Sequence, residues 1–176
     1  MPERPGELRR MTSAELSQLG EQSLRDHLVA HAIVAHRKYA PLSEDKLATL
    51  LRDPECLRYP TRLVFELGEM AGHQFAQPEV DDRDPTRNSR VLYLRPPLRE
   101  RPDLLPLAVA YMIPVINYGD PIADEHCLLY GATLLGLTSE EYYIQMCALA
   151  DFVGAETRLT SRPRSCAPPS AGLAEA

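Results

Sequence analysis

Leu104-Leu-Pro-Leu-Ala-Val-Ala-Tyr-Met-Ile-Pro-Val-Ile-Asn-Tyr118 is apolar on every side of a helical wheel. That is the pattern of a helix enclosed by the rest of a fold rather than lying on its surface. Pro106 fits a first turn, where its missing N–H is no loss, and Pro114 predicts a kink or the end of the regular part. The run falls short of the ~20 residues that cross a bilayer, so it reads as a core helix and no membrane segment is expected. The rest of the chain is then read as what packs around this rod.

The rod lies inside a wider vacancy of positive charge. From Pro102 to Thr157 there is no Lys or Arg, while Asp103, Asp120, Asp124, Glu125, Glu140, Glu141, Asp151 and Glu156 are all acids. The remainder carries 19 bases against 17 acids, so the net charge of −6 is set in the most apolar part of the sequence. An apolar wall with only negative charges favours cations, whether a metal ion or the basic residues of a partner.

Capping signals divide the C-terminal half. Gly119-Asp-Pro121 combines a helix-ending Gly, an N-capping Asp and a first-turn Pro; the next helix is expected to follow and to run to about Leu135, stopped by Gly136. Thr138-Ser-Glu-Glu141 is a capping box opening a helix to Val153, ended by Gly154, with Tyr142, Met146, Leu149 and Val153 on one stripe. In the N-terminal half Thr12-Ser-Ala-Glu15 is a second capping box. It predicts a helix to about Tyr39, bent at Gly20, with Leu24, Leu28, Ala32, Ala35 and Tyr39 in register. Pro41 stops it, and Ser43 starts a short helix ended by Asp53-Pro54.

Between these halves the hydrophobic period changes from 3.6 to 2. Thr61 to Leu67 alternates as a strand, Met70 to Gln77 is expected to pair back as a second, Pro78 to Ser89 is a polar loop, and Arg90 to Arg95 is a third strand. Three strands with short links predict an antiparallel meander. The expected class is α+β: N-terminal helices, a small antiparallel β-meander, then three C-terminal helices packed on it. Residues 1–11 read as a flexible arm, 12–154 as one globular domain and 155–176, rich in Ala, Pro, Ser and Arg, as a disordered tail.

The order of meander, apolar helix and capped helix resembles, in outline, the layout of zincin-like proteins. Ala110-Tyr-Met-Ile-Pro114 stands where such a protein would carry its metal-binding helix, and the chain has no H-E-x-x-H. No family is assigned on that outline.

Mild acidity and the lack of a Lys/Arg stripe with interleaved aromatics argue against a nucleic-acid binder. Cys56, Cys127, Cys147 and Cys166 show neither C-x-x-C nor zinc-finger spacing, and Cys127 and Cys147 fall in apolar helical patterns where thiols behave as small hydrophobes. With no apolar signal-peptide core at the N-terminus, a cytoplasmic protein with reduced thiols is expected.

Three groups of residues carry candidate chemistry. Tyr118, Asp120, Glu125 and His126 gather between two apolar helices; oxygen and imidazole donors of this kind suit a divalent cation, and a carboxylate beside a His suits acid–base work. Capping and the helix macrodipole account for the same acids, and Glu125 and His126 point about 100° apart on a helix. His27 and His31, at i, i+4, share a helix face, bordering the Leu24/Leu28 stripe as a core-edge pair would. Glu69 and His73 share a face whether their segment is strand or helix, with Glu66 nearby at the turn. A metal site would draw on His73, Asp120 and Glu69, with Glu125, His126 and Tyr118 as the catalytic groups.

Two functions follow as expectations. The first is association, with itself or with another protein, through an apolar, acid-rimmed helical surface using Tyr111, Tyr118, Tyr130, Tyr142 and Tyr143 as anchors. The alternative is a metal- or acid/base-dependent, hydrolase-like enzyme built around His73, Asp120, Glu125 and His126, for which a divalent metal is the cofactor. A third is a small-ligand module using a pocket between the kinked helix and the sheet.

Overall fold

The computed structural model describes residues 12–119 and 121–160. Helix α1 (Ser13–Tyr39) begins at the expected capping box: the Thr12 hydroxyl accepts from the Glu15 amide and the Glu15 carboxylate accepts from the Thr12 amide. Its second half buries Leu28, Ala32, Ala35 and Tyr39. Residues 12–23 are all exposed, so the first turns extend beyond the body. Helix α2 (Glu44–Leu50) follows and buries Leu47 and Leu50.

The sheet consists of β1 (Thr61–Phe65), β2 (Ala76–Val80) and β3 (Arg90–Leu94) in the order β1-β3-β2. It is mixed rather than the expected antiparallel meander. β2 pairs antiparallel with β3, but β1 pairs with β3 in parallel, Leu63 opposite Leu92. Burial gives the reason. Val91, Leu92 and Leu94, which point to both faces of β3, are buried, as suits a strand flanked on both edges and covered on both faces. β1 and β2 are mostly half-buried, and Pro78, with no N–H to donate, suits an edge strand.

The link from β1 to β2 also differs from expectation. Residues 66–75 form turns instead of a strand or helix. They are tied across the end of the sheet by the buried Arg95, whose Nε donates to the Gln74 carbonyl (2.6 Å) and Nη2 to that of Ala71 (2.8 Å).

After two short 3-10 turns (Pro96–Glu100 and Pro102–Leu104), α3 (Leu105–Tyr118) runs through the middle of the molecule with eleven buried residues, and Pro114 lies inside it. The reading of this segment as the central rod holds. Helix α4 (Asp124–Leu135) ends at Gly136 in the left-handed conformation, as expected. Its start does not follow the sequence signal: the N-cap is Ala123, with Pro121 and Ile122 in a turn outside the helix. Ile122 packs against the core from that turn, while Asp120, the expected cap, lies outside the described residues. Helix α5 (Ser139–Thr160) opens on the second capping box, Thr138 with Glu141, and buries Tyr142, Met146, Leu149 and Val153. It passes through Gly154, where a stop was expected; a mid-helix glycine weakens a helix by only ~1 kcal/mol. The expected arm, residues 1–11, and most of the expected tail lie outside the described residues.

Candidate functional site

The expected cluster at the start of α4 separates into two places. Tyr118, at the last turn of α3, is 43% exposed and presents its ring edge-on to His27, 6.1 Å between centroids. Burial of part of the ring raises its phenol pKa. It lines a cleft between the end of α3 and the sheet. Glu125 and His126 line a different groove, on the side where α4 meets α5 and Arg25 of α1. Glu125 is exposed. His126 is buried, and its Nδ1 has no hydrogen-bond partner among the described residues.

Glu69 and His73 are both exposed, in the turns of residues 66–75. The shared strand or helix face expected for them is therefore not formed. Among the described residues no three His, Cys, Asp or Glu side chains come together as a metal-binding group.

His27 and His31 stack, 6.2 Å between centroids, at the edge of the core. Nδ1 of His31 lies 3.1 Å from the hydroxyl of the fully buried Tyr130. Burial, then the neighbouring His27, lowers the His31 pKa. Of the five tyrosines expected as anchors, Tyr130 and Tyr142 are wholly buried and Tyr111 is half-buried, donating to Asp124 (2.9 Å). Only Tyr118 and Tyr143 are exposed. Cys127 is buried as expected, but Cys147 faces outward.

The α4–α5 groove has a volume of about 400 Å³. Leu128, Leu129 and Tyr143 form its apolar lining, with Glu125 and Glu140 at its margin. Beside it, the outer side of α5 places Glu140, Tyr143, Ile144, Cys147 and Asp151 within a sector about 100° wide at 100° per residue; all five are exposed. Tyr143 is 56% and Ile144 60% exposed, the two largest values for a large apolar side chain among the described residues.

The cleft is larger, about 700 Å³, and lies between the C-terminal part of α3, the edge strand β2 and two arginine-bearing loops. Sequence reasoning missed it as a charged site because Arg58, Arg87 and Arg90 look like ordinary loop and strand-end residues. What holds them was equally hidden. The buried Asn117 of α3 accepts from the Arg58 amide (2.8 Å) and donates to the Cys56 carbonyl (3.2 Å), fastening loop 53–60 to the helix. Loop 81–89 is built on two carboxylates. Asp81 accepts both Nε and Nη2 of Arg62 (2.6 and 3.2 Å). Asp84 accepts from Thr86, Asn88 and Ser89, and those bonds, the Thr86 hydroxyl foremost, bring its pKa down to about 2.

A second polar network below the cleft joins α1 to the same loop 53–60. Asp53, buried, accepts from the Tyr39 hydroxyl (2.7 Å), from Lys38 Nζ (2.6 Å) and from the Glu55 amide (3.0 Å). Burial opposes its charge, but the bonds from Lys38 and Tyr39 outweigh that and hold its pKa at about 2. Each half of the motif was visible as a helix end or a turn; their meeting was not.

The fold and these sites define a mixed α+β protein with one acid-margined apolar face and one arginine-lined cleft. No family model, curated protein or solved structure matches the chain. No helix among the described residues is long and apolar enough to cross a membrane.

Proposed function

We propose that the protein acts by association, presenting the α4–α5 groove and the outer side of α5 to a basic, amphipathic segment of a protein partner. The observation that carries this reading is the pairing of Tyr143 and Ile144, left exposed in the most apolar half of the chain, with Glu125, Glu140 and Asp151 around them. Removing apolar surface from water stabilises by roughly 25 cal/mol per Å², so two large side chains more than half exposed side by side favour a contact. The acid margin sets the sign of the partner. Lys or Arg on its polar edge would speed encounter and fix orientation; Arg25 of α1 also lines the groove, but the outer side of α5 from Glu140 to Asp151 carries acids and no base.

The same charge argument favours a different partner over a second copy. A two-fold contact through this face sets Glu140 and Asp151 of one molecule near the like-charged residues of the other. His126 also lines the groove, and its buried Nδ1 has no hydrogen-bond partner among the described residues. As an acid–base pair Glu125 and His126 have no hydrogen-bonded third group among the described residues to orient them, and the association reading uses both without one.

The test is binding of basic amphipathic peptides to the wild type and to Ile144→Asp. Affinity that survives the substitution unchanged contradicts the proposed face.

A further inference from the structure

Independently of the α5 face, we infer that the cleft between α3 and the sheet binds a small phosphate ester of about mononucleotide size. Its phosphoryl group would lie between Arg58 and Arg87, and its hydroxyl-bearing body would reach Glu79 and Tyr118.

Four observations lead there. First, the guanidinium groups of Arg58 and Arg87 form no ion pair among the described residues, although both line a cleft that also contains Glu79 and Asp82. A guanidinium not engaged by a carboxylate offers the planar fork that suits phosphate. Second, the cationic wall is held in place before any ligand arrives. Arg90 stacks on the Tyr59 ring (3.9 Å to its centroid) and its Nη1 donates to the carbonyls of Arg87 and Ser89, both at 3.0 Å. Arg58 lies against the same ring, 5.4 Å away, with its backbone fixed by Asn117. Arg87 takes a positive φ of 56° in the loop organised by Asp84.

Third, Glu79 Oε1 is buried with no hydrogen-bond partner among the described residues. A buried acceptor left empty is costly, about 1–3 kcal/mol, and a rotation of the carboxylate toward the cleft it lines would let a hydroxyl or amino donor on a ligand remove that cost. The cleft therefore asks for a donor and an anion in one molecule. Fourth, about 700 Å³ lies within the range of ligand pockets, ~300–1,000 Å³, and is far too large for a lone phosphate. The partly exposed Tyr118 ring, braced edge-on by His27, offers a flat apolar wall for a ring system.

Titration calorimetry on the full chain, with adenosine 5′-monophosphate, ribose 5-phosphate, adenosine and inorganic phosphate as probes, tests this. The two esters should bind, inorganic phosphate at least tenfold more weakly, and adenosine more weakly than adenosine 5′-monophosphate. Arg58→Ala/Arg87→Ala should lose at least tenfold in ester affinity and Glu79→Gln several-fold, while Arg83→Ala, outside the cleft, should not differ from wild type. Because the exposed Arg58 and Arg87 side chains make no ion pair among the described residues, the double variant should stay folded, with a melting temperature lowered at most by loss of the Arg58 contact on the Tyr59 ring. No ester binding at millimolar concentration overturns the proposal. So does ester binding that ignores the double substitution, or inorganic phosphate binding as tightly as the esters, which marks a general anion site. None of these results bears on the α5 face, which Ile144→Asp tests separately.

Discussion

The ring of Tyr142 lies directly on Gly131, filling the space that a Cβ at position 131 would need, and its hydroxyl donates to the Leu107 carbonyl at 2.8 Å. One side chain of α5 thus fixes the spacing of α3 and α4 beneath the proposed binding face. Because Tyr142 is fully buried and bonded at its tip, the ring has nowhere to retreat. Gly131→Ala is expected to destabilise by about 1–3 kcal/mol through overpacking, despite alanine's better helix propensity. Tyr142→Leu makes room, so urea unfolding of Gly131→Ala/Tyr142→Leu should show less than the sum of the single effects. A neutral or stabilising Gly131→Ala would contradict the packing.

Acid should weaken the fold through Asp53. Its folded pKa is held at about 2, below its ordinary value of 3.8. The unfolded chain therefore binds the proton more readily, and the stabilisation is complete above pH ~5 and is lost as pH falls through 4 toward 2. Asp84 acts in the same direction, with its pKa also at about 2. Asp53→Asn should lower the melting temperature at pH 7 and flatten the decline between pH 5 and pH 2. A variant with the wild-type slope would assign the acid sensitivity elsewhere.

Asn117 should be worth more than its size implies. Its two hydrogen bonds connect α3 to loop 53–60, and the side chain is buried. Asn117→Leu leaves the Cys56 carbonyl and the Arg58 amide without that partner, at about 1–3 kcal/mol for a buried group. Hydrogen exchange is the direct readout: the Arg58 amide should exchange faster in the variant while the amides of α5 keep their protection.

Most of the fold was legible in the sequence because the signals were local. Both capping boxes, the Gly136 stop and the all-round apolar rod from Leu105 to Tyr118 depend on neighbours within a turn or two. Strand order did not follow from such signals. β3 is central because Val91, Leu92 and Leu94 must be covered from two sides, and that depends on what packs on each face. The start of α4 slipped for a similar reason: Gly119-Asp-Pro121 is a good local start, but the chain first turns so that Ile122 meets the core. The acid-margined face was legible as composition, though two of its expected anchors, Tyr130 and Tyr142, carry core load instead. The arginine cleft was not legible. Arg58 comes from loop 53–60, Arg87 from loop 81–89 and Arg90 from the start of β3, joined through Asn117, Tyr59 and Asp84 by contacts the sequence does not announce.

Light scattering at increasing protein concentration separates the two kinds of association. The like charges of Glu140 and Asp151 oppose a two-fold contact through α5, so the chain should stay monomeric at low salt. A dimer lost in Ile144→Asp would place a second copy, rather than a basic partner, on this face.

The most direct measurement of the central claim is selection from a random helical-peptide phage library against the wild type, counter-selected on Tyr143→Ala/Ile144→Asp. Enriched peptides should carry net positive charge, with apolar residues spaced three and four apart, and should bind the wild type at least tenfold more tightly than the variant. Acidic or unpatterned binders, or binders indifferent to the two substitutions, would contradict the account.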